Sequence, residues 1–146
     1  MAKHVNAGTL KTMLNDGHEL ALLDVREDGQ FGEGHMLFAV PMPYSHLEAR
    51  LDTQLPRRST RTVLVDGGDG VAERAAARMT ALGYSDVAIL PGGIDAWAAA
   101  GYTIFKGVNV PSKAFGEMVE HAAHTPSISA QELHAMLEHG EDLVVV

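Results

Sequence analysis

Short, predominantly apolar runs alternate along this chain with segments of helical periodicity, and no other feature constrains the fold as strongly. The runs lie at residues 20–25, 62–65 and 87–90, and helical patterns follow or precede them, as at residues 71–82. Strands of a parallel sheet read as continuous apolar runs because helices cover both faces of the sheet. The alternation therefore predicts an α/β fold with a central parallel sheet flanked by helices.

Composition and charge exclude several classes of protein. A length of 146 residues suits one compact domain, and 46% hydrophobic with 21% charged residues is typical of a soluble globular chain. A net charge of −8 disfavours a nucleic-acid partner, which would need a concentrated Lys/Arg surface. No apolar run approaches the length of a membrane span, and the first residues contain no apolar signal segment. We expect a cytoplasmic protein that binds neither nucleic acid nor membrane.

The chain contains no cysteine. Disulfides, thiolate metal sites and any chemistry that forms a persulfide on the chain itself are therefore excluded.

An internal repeat marks the organisation of the chain. Residues 5–23 align without gaps to residues 128–146, at a constant offset of 123. The identical pairs include Ala7 with Ala130, Leu10 with Leu133, Met13 with Met136, Leu14 with Leu137, Gly17 with Gly140 and Leu20 with Leu143. We interpret the chain as part of a longer tandem protein. Residues 1–108 would form the first domain, residues 109–126 a linker helix and linker, and residues 127–146 the truncated start of a second domain.

Several ordered motifs resemble the rhodanese family. They are Asp24-Val25-Arg26-Glu27, Phe31, Gly34-His35, Leu82-Gly83-Tyr84, Val87, Leu90, Gly92-Gly93, Ala96-Trp97 and Ala100-Gly101. Each motif alone is weak, but the order and spacing of the set are specific. The resemblance implies a three-layer α/β sandwich around a parallel sheet. It also implies sulfur transfer in active members, from donors such as thiosulfate, through a persulfide on one cysteine.

The resemblance places that cysteine at the start of the loop after residues 62–65, where this chain has Asp66. The loop that corresponds to the active site comprises Asp66, Gly67, Gly68, Asp69, Gly70 and Val71. Family members often carry Gly, Arg and Ser where this chain has Asp69, Val71 and Ala72, so the loop lacks an anion-binding arginine and is acidic. We expect an inactive domain, structural or regulatory toward neighbouring rhodanese domains of the same polypeptide. The whole protein would then be a thiosulfate-type sulfurtransferase.

Asp66 and Asp69 have two interpretations. In the first, they are internal anions that accept N–H groups at the start of a helix. In the second, Asp66 is the nucleophile or base of a hydrolase or phosphatase-like enzyme. The spacing of the two residues, i and i+3, differs from the i and i+2 of haloacid-dehalogenase-type loops. Asp66, Asp69 and Glu73 match no EF-hand loop, and we assign neither metal nor cofactor.

Three residues outside the loop are supporting candidates. Asp24 and Arg26 follow a predicted strand on the side where open α/β sheets place ligands, and a structural ion pair is the alternative role. His35 has the chemistry of a proton carrier, and a packed turn histidine is the alternative.

Three local features add predictions that the structure can check. Ser45 with Glu48 predicts a capping box, Ser112 predicts the N-cap of a linker helix over residues 112–121, and Arg57, Arg58 and Arg61 form a small basic patch.

Overall fold

Five parallel strands form the centre of the computed structural model, which describes residues 2–107, 109–124 and 126–145. The strands are β1 (Lys3–His4), β2 (Ala21–Asp24), β3 (Val40–Pro41), β4 (Thr62–Val65) and β5 (Val87–Ile89), in the sheet order β1-β5-β4-β2-β3. All four strand pairs are parallel. The helices are α1 (Ala7–Met13), α2 (Asp28–Glu33), α3 (Leu47–Gln54), α4 (Val71–Ala81), α5 (Gly93–Ala99), α6 (Val110–Ala123) and α7 (Ala130–Glu138).

Helices cover both faces of the sheet. One apolar cluster packs side chains of α3 and α4, such as Leu51 and Met79, against Leu64 of β4. A second cluster packs Leu10 of α1 and Trp97 of α5 against the opposite face. Every residue of β4 is buried, as a strand with two covered faces requires. The predicted three-layer α/β sandwich is confirmed.

Strand register brings the polar motifs to one edge of the sheet. Asp24 at the end of β2 pairs with Val65 at the end of β4. Because the strands are parallel, the residues that follow both strands emerge at the same carboxyl edge. The fold therefore places the Asp24 motif beside the Asp66 loop, although 42 residues separate them in sequence.

The segment after α5 folds back onto the region of α2. Phe105 and His35 exchange two backbone hydrogen bonds of 2.8 Å each, and the Gly107 N–H donates to the Gly32 carbonyl at 2.9 Å. Val110 is buried. This compact unit comprises residues 1–111. The boundary that the sequence predicts at residue 108 lies outside the described residues and stays a prediction.

Residues 112–146 form a separate compact unit. Helix α6 begins at Val110, so Ser112 lies inside its first turn and the predicted N-cap is wrong. Helix α7 begins with a capping box between Ser129 and Glu132. Thr125 of the predicted linker and Val146 of the repeat lie outside the described residues.

Within the described residues, no helix combines the length and apolar character that crossing a bilayer requires. The cytoplasmic location stays a prediction.

The capping box predicted for Ser45 and Glu48 is also wrong. A 3-10 turn (Tyr44–His46) precedes α3, and His46 occupies the N-cap position. The Ser45 hydroxyl donates to the Glu27 carboxylate at 3.0 Å instead.

The three arginines of the basic patch each have an acidic partner. Arg57 pairs with Glu19, Arg58 with Asp52 and Arg61 with Asp16. Hydrogen bonds from Arg61 lower the pKa of Asp16 from 3.8 to about 2. The patch therefore joins surface loops and presents little unbalanced positive charge.

Candidate functional site

The loop between β4 and α4 turns the chain sharply at the carboxyl edge of the sheet. Gly68 and Gly70 adopt φ angles of +79° and +80°, a left-handed conformation that glycine adopts without steric cost. The turn directs backbone N–H groups toward the side chain of the residue that opens the loop. That residue is Asp66.

The Asp66 carboxylate is 3% exposed and occupies this turn. Its Oδ1 accepts a hydrogen bond from the Gly68 N–H at 2.9 Å, and its Oδ2 accepts one from the Ala72 N–H at 3.0 Å. Ala72 lies in the first turn of α4, where N–H groups have no partner within the helix. These contacts agree with the interpretation of Asp66 as an internal anion.

Asp69 has a different environment. Its side chain is exposed, and its Oδ1 accepts one longer hydrogen bond from the Val71 N–H at 3.3 Å. The loop thus has one buried carboxylate and one at its surface, and both would repel an approaching oxyanion.

Gly93 is a site residue that sequence reasoning missed. The Ile94 N–H donates to the Asp66 carbonyl at 2.9 Å. A Cβ atom on Gly93 would lie 2.0 Å from that carbonyl oxygen and 2.8 Å from Asp66 Oδ1. The start of α5 therefore packs directly on the loop backbone. The pair Gly92-Gly93 was the available signal, because glycine is the usual residue where the backbone has a positive φ or another segment approaches closely.

Asp24 and Arg26 form a buried ion pair beside the loop, with side chains 1% and 8% exposed. Arg26 Nε donates to Asp24 Oδ1 at 2.9 Å, and Arg26 Nη2 donates to Asp24 Oδ2 at 2.6 Å and to the Gly34 carbonyl at 2.6 Å. The position of a Cβ on Gly67 is 3.8 Å from Arg26 Cδ, so the arginine stem lies against the loop. With Nε and Nη2 bonded to Asp24 and to the Gly34 carbonyl, Arg26 forms a structural ion pair against the loop.

His35, which follows Gly34, is buried. Its ring stacks on Phe31 with centroids 3.9 Å apart, and its Nδ1 lies 2.9 Å from the Phe31 carbonyl. Its backbone pairs with Phe105. This is the environment of a packed turn histidine.

The hydrolase alternative gains no support from this arrangement. A nucleophilic carboxylate needs an accessible oxygen, but Asp66 is 3% exposed and each of its carboxylate oxygens accepts a backbone hydrogen bond. Within residues 2–107, 109–124 and 126–145, no three His, Cys, Asp or Glu side chains are grouped so that they could hold a metal ion.

Asp66→Ala is expected to lower the free energy of unfolding by about 2–3 kcal/mol, because it leaves the buried Ala72 N–H without an acceptor. Urea denaturation followed by circular dichroism measures this loss. Asp69→Ala is the matched control, since it removes one long, exposed hydrogen bond and should cost below about 1 kcal/mol. Equal losses in the two variants would contradict the internal-anion role.

Comparisons with known proteins identify relatives of this fold. The family profile described as Rhodanese-like domain matches residues 6–100. The crystal structure of thiosulfate sulfurtransferase from Pseudomonas aeruginosa is 46% identical to this chain, with a TM-score of 0.85. That match covers 96% of this chain but 27% of the Pseudomonas chain, so this chain spans about a quarter of that relative.

Two further structures extend the comparison. The Alr3790 protein from Anabaena sp. is 27% identical over 76% of this chain and 99% of its own, with a TM-score of 0.67. A rhodanese-related protein from Thermoplasma volcanium, 21% identical over 70% of this chain and 97% of its own, shares the fold with a TM-score of 0.62. No curated protein matches the chain.

The family profile covers well over half of the chain, and its match contains both the Asp24 motif and the Asp66 loop. The resemblance inferred from the sequence motifs is therefore confirmed, and the chain belongs to the rhodanese-like domain family.

Proposed function

We propose that this domain is a catalytically inactive rhodanese-like module with a structural or regulatory role toward a sister domain that carries the catalytic cysteine. The observation that carries the proposal is the Asp66 carboxylate, which is buried in the loop and bound to the N–H groups of Gly68 and Ala72.

The loop lacks what sulfur transfer needs. A persulfide forms on a cysteine thiolate, and the chain has no cysteine. Two of the N–H groups that could stabilise a bound anion are already satisfied by Asp66. Thiosulfate is a dianion, so Asp66 and Asp69 oppose its binding. The loop is thus complete as a structural element without any ligand.

The proposed partners are neighbouring rhodanese domains of the same polypeptide. The Pseudomonas thiosulfate sulfurtransferase supports this, because a chain similar to this one makes up 27% of its length. By extension, we propose that the whole protein is a thiosulfate-type sulfurtransferase in which this module is one of several domains.

The internal repeat adds support for a second domain that begins near residue 127. The N-cap residues Asn6 of α1 and Ser129 of α7 are separated by the same offset of 123, and each side chain accepts a backbone hydrogen bond. Gly17 and Gly140, at the same offset, have φ angles of +75° and +68°. The two helices therefore begin in the same way, and a glycine with a positive φ follows each of them.

The sequence of the gene that encodes the whole protein tests the partner proposal. We expect the reading frame to encode a cysteine about 123 residues beyond Asp66, in a loop that follows an apolar strand. A reading frame in which no rhodanese-like loop carries a cysteine would contradict the proposal that a sister domain is active.

The inactivity of the module is tested by assaying thiocyanate production from thiosulfate and cyanide. The chain should give no turnover above a buffer blank, and measurable turnover would refute the proposal.

Asp66→Cys is expected to give little or no sulfur transfer, although it supplies a thiol, because the loop remains acidic and lacks a cation for the substrate. A second variant that adds Asp69→Gly, Val71→Arg and Ala72→Ser should exceed the single variant by at least about tenfold, the effect of one charge-assisted anion contact. Both variants are checked for folding by circular dichroism. Efficient transfer by Asp66→Cys alone would show that the rest of the loop does not limit the chemistry.

A further inference from the structure

A cavity of about 240 Å³ lies in the first unit, away from the Asp66 loop. Its walls come from α1, from residues 36–38, from α5 and from residues 101–105. Helices α1 and α5 follow β1 and β5 and return across the sheet, so their last turns lie near the amino ends of the strands. The cavity is thus at the edge of the sheet opposite the Asp66 loop, and the proposed function does not involve it.

Four aromatic residues line the cavity. The chain has eight aromatic residues, and four of them line this cavity: Phe38, Trp97, Tyr102 and Phe105. Trp97 and Tyr102 pack with ring centroids 4.4 Å apart. The Trp97 indole N–H donates to the Thr103 carbonyl at 3.2 Å, which leaves the ring to offer only apolar surface. Phe38 is 60% exposed, an unusual environment for a phenylalanine in this unit.

One positively charged side chain lines the cavity together with these aromatic residues. Lys11, in the last turn of α1, is the only charged side chain among the described residues that line the cavity. Its Nζ lies 5.9 Å from the centroid of the Tyr102 ring. Over the described parts of the chain, no carboxylate lies within ion-pair distance of Lys11, in contrast to Lys3, which binds Asp86 at 2.8 Å.

We propose that this cavity binds a small aromatic monocarboxylate, with its ring between Phe38 and the Trp97/Tyr102 pair and its carboxylate on Lys11. The volume is below the roughly 300–1,000 Å³ of sites for drug-sized ligands, which favours a ligand with a single ring. A single ammonium group matches a single carboxylate, and it disfavours cationic ligands. This binding site is independent of the proposed function of the module.

Trp97 provides a direct test because it is the only tryptophan of the chain. The 146-residue chain is titrated with 3-phenylpropanoate while the Trp97 fluorescence is recorded with excitation at a wavelength that the ligand does not absorb. A saturable change is expected. The uncharged analogue 3-phenylpropanamide has a similar shape, and it should bind at least about tenfold more weakly because it lacks the charge-assisted contact.

Two lysine variants test whether the ligand carboxylate binds to the ammonium group of Lys11. Lys11→Met should weaken 3-phenylpropanoate binding about tenfold and leave the binding of the amide unchanged. Lys3→Met is the matched control, since Lys3 is an exposed lysine outside the cavity, and it should bind as the parent chain does. Because Lys11 is exposed, Lys11→Met is expected to fold, and circular dichroism of the variant is the check.

Three results would overturn the proposal: no saturable response at millimolar 3-phenylpropanoate, equal affinity for the acid and the amide, or unchanged affinity in Lys11→Met. Amide NMR shifts give a second readout. Perturbations are expected in the last turn of α1, in residues 36–38, in α5 and in residues 101–105, and perturbations confined to other segments would place the ligand elsewhere.

Discussion

Gly93→Ala is expected to lower the free energy of unfolding by more than about 3 kcal/mol, an effect that few single substitutions reach. Two costs combine. Gly93 has a φ angle of +54°, where an alanine costs about 1–2 kcal/mol. The new Cβ would also lie 2.0 Å from the Asp66 carbonyl oxygen and 2.6 Å from its carbon. Both are backbone atoms, so relief requires that α5 and the Asp66 loop move apart.

Gly101→Ala separates these two costs. Gly101 has a φ angle of +82°, but a Cβ there would have no heavy atom within 4 Å. Gly101→Ala should therefore lower the free energy of unfolding only by the cost of the left-handed backbone conformation, about 1–2 kcal/mol. Urea denaturation of both variants gives the difference. Similar losses would mean that the contact between Gly93 and Asp66 contributes nothing beyond backbone strain.

Arg26→Met is expected to lower the free energy of unfolding by about 3–5 kcal/mol, because it leaves the Asp24 carboxylate buried without its counter-charge. Asp24 is 1% exposed and would lose hydrogen bonds from Arg26 Nε and Nη2. The Gly34 carbonyl would lose its contact with Nη2 as well. Chemical denaturation at neutral pH measures the loss.

Arg50→Met is the matched surface control. Arg50 Nη2 and Asp28 Oδ2 lie 3.8 Å apart, with Arg50 partly exposed and Asp28 exposed, so their pair should contribute below about 1 kcal/mol. The double variant Asp24→Leu/Arg26→Met should regain part of the stability lost in Arg26→Met, because it removes the stranded charge. The two losses are also measured singly, in Asp24→Leu and in Arg26→Met. If the loss of the double variant equalled the sum of these two losses, the two residues would not act as a pair.

Two of the residues in these predictions, Arg26 and Gly93, contact the Asp66 loop. Arg26 lies against Gly67 on one side, and Gly93 packs on the Asp66 carbonyl on another. Within the loop, Asp66 supplies the negative charge that the N–H groups of Gly68 and Ala72 bind. The loop keeps these contacts although it has no cysteine nucleophile. This is consistent with the proposed inactive module, in which the loop has a structural role.

The sequence by itself determined the parts of this protein that depend on local pattern. Continuous apolar runs predicted the buried strands β2, β4 and β5, since a strand covered on both faces has no polar side. The ordered motifs identified the family. The resemblance then placed Asp66 at the start of the loop. Because the connection from β4 to α4 is short, the loop's position needed no long-range information.

Only the tertiary structure decided which groups meet across the sheet. Ser45 was expected to cap α3, but its hydroxyl donates to Glu27, 18 residues away. Gly93 reads in sequence as a turn residue, yet its hydrogen atom is required because the Asp66 carbonyl lies where a side chain would be. Such partners depend on strand order and helix packing, which bring distant segments within hydrogen-bond distance. A local pattern carries no information about those distances, so the support of the Asp66 loop became visible only in the folded chain.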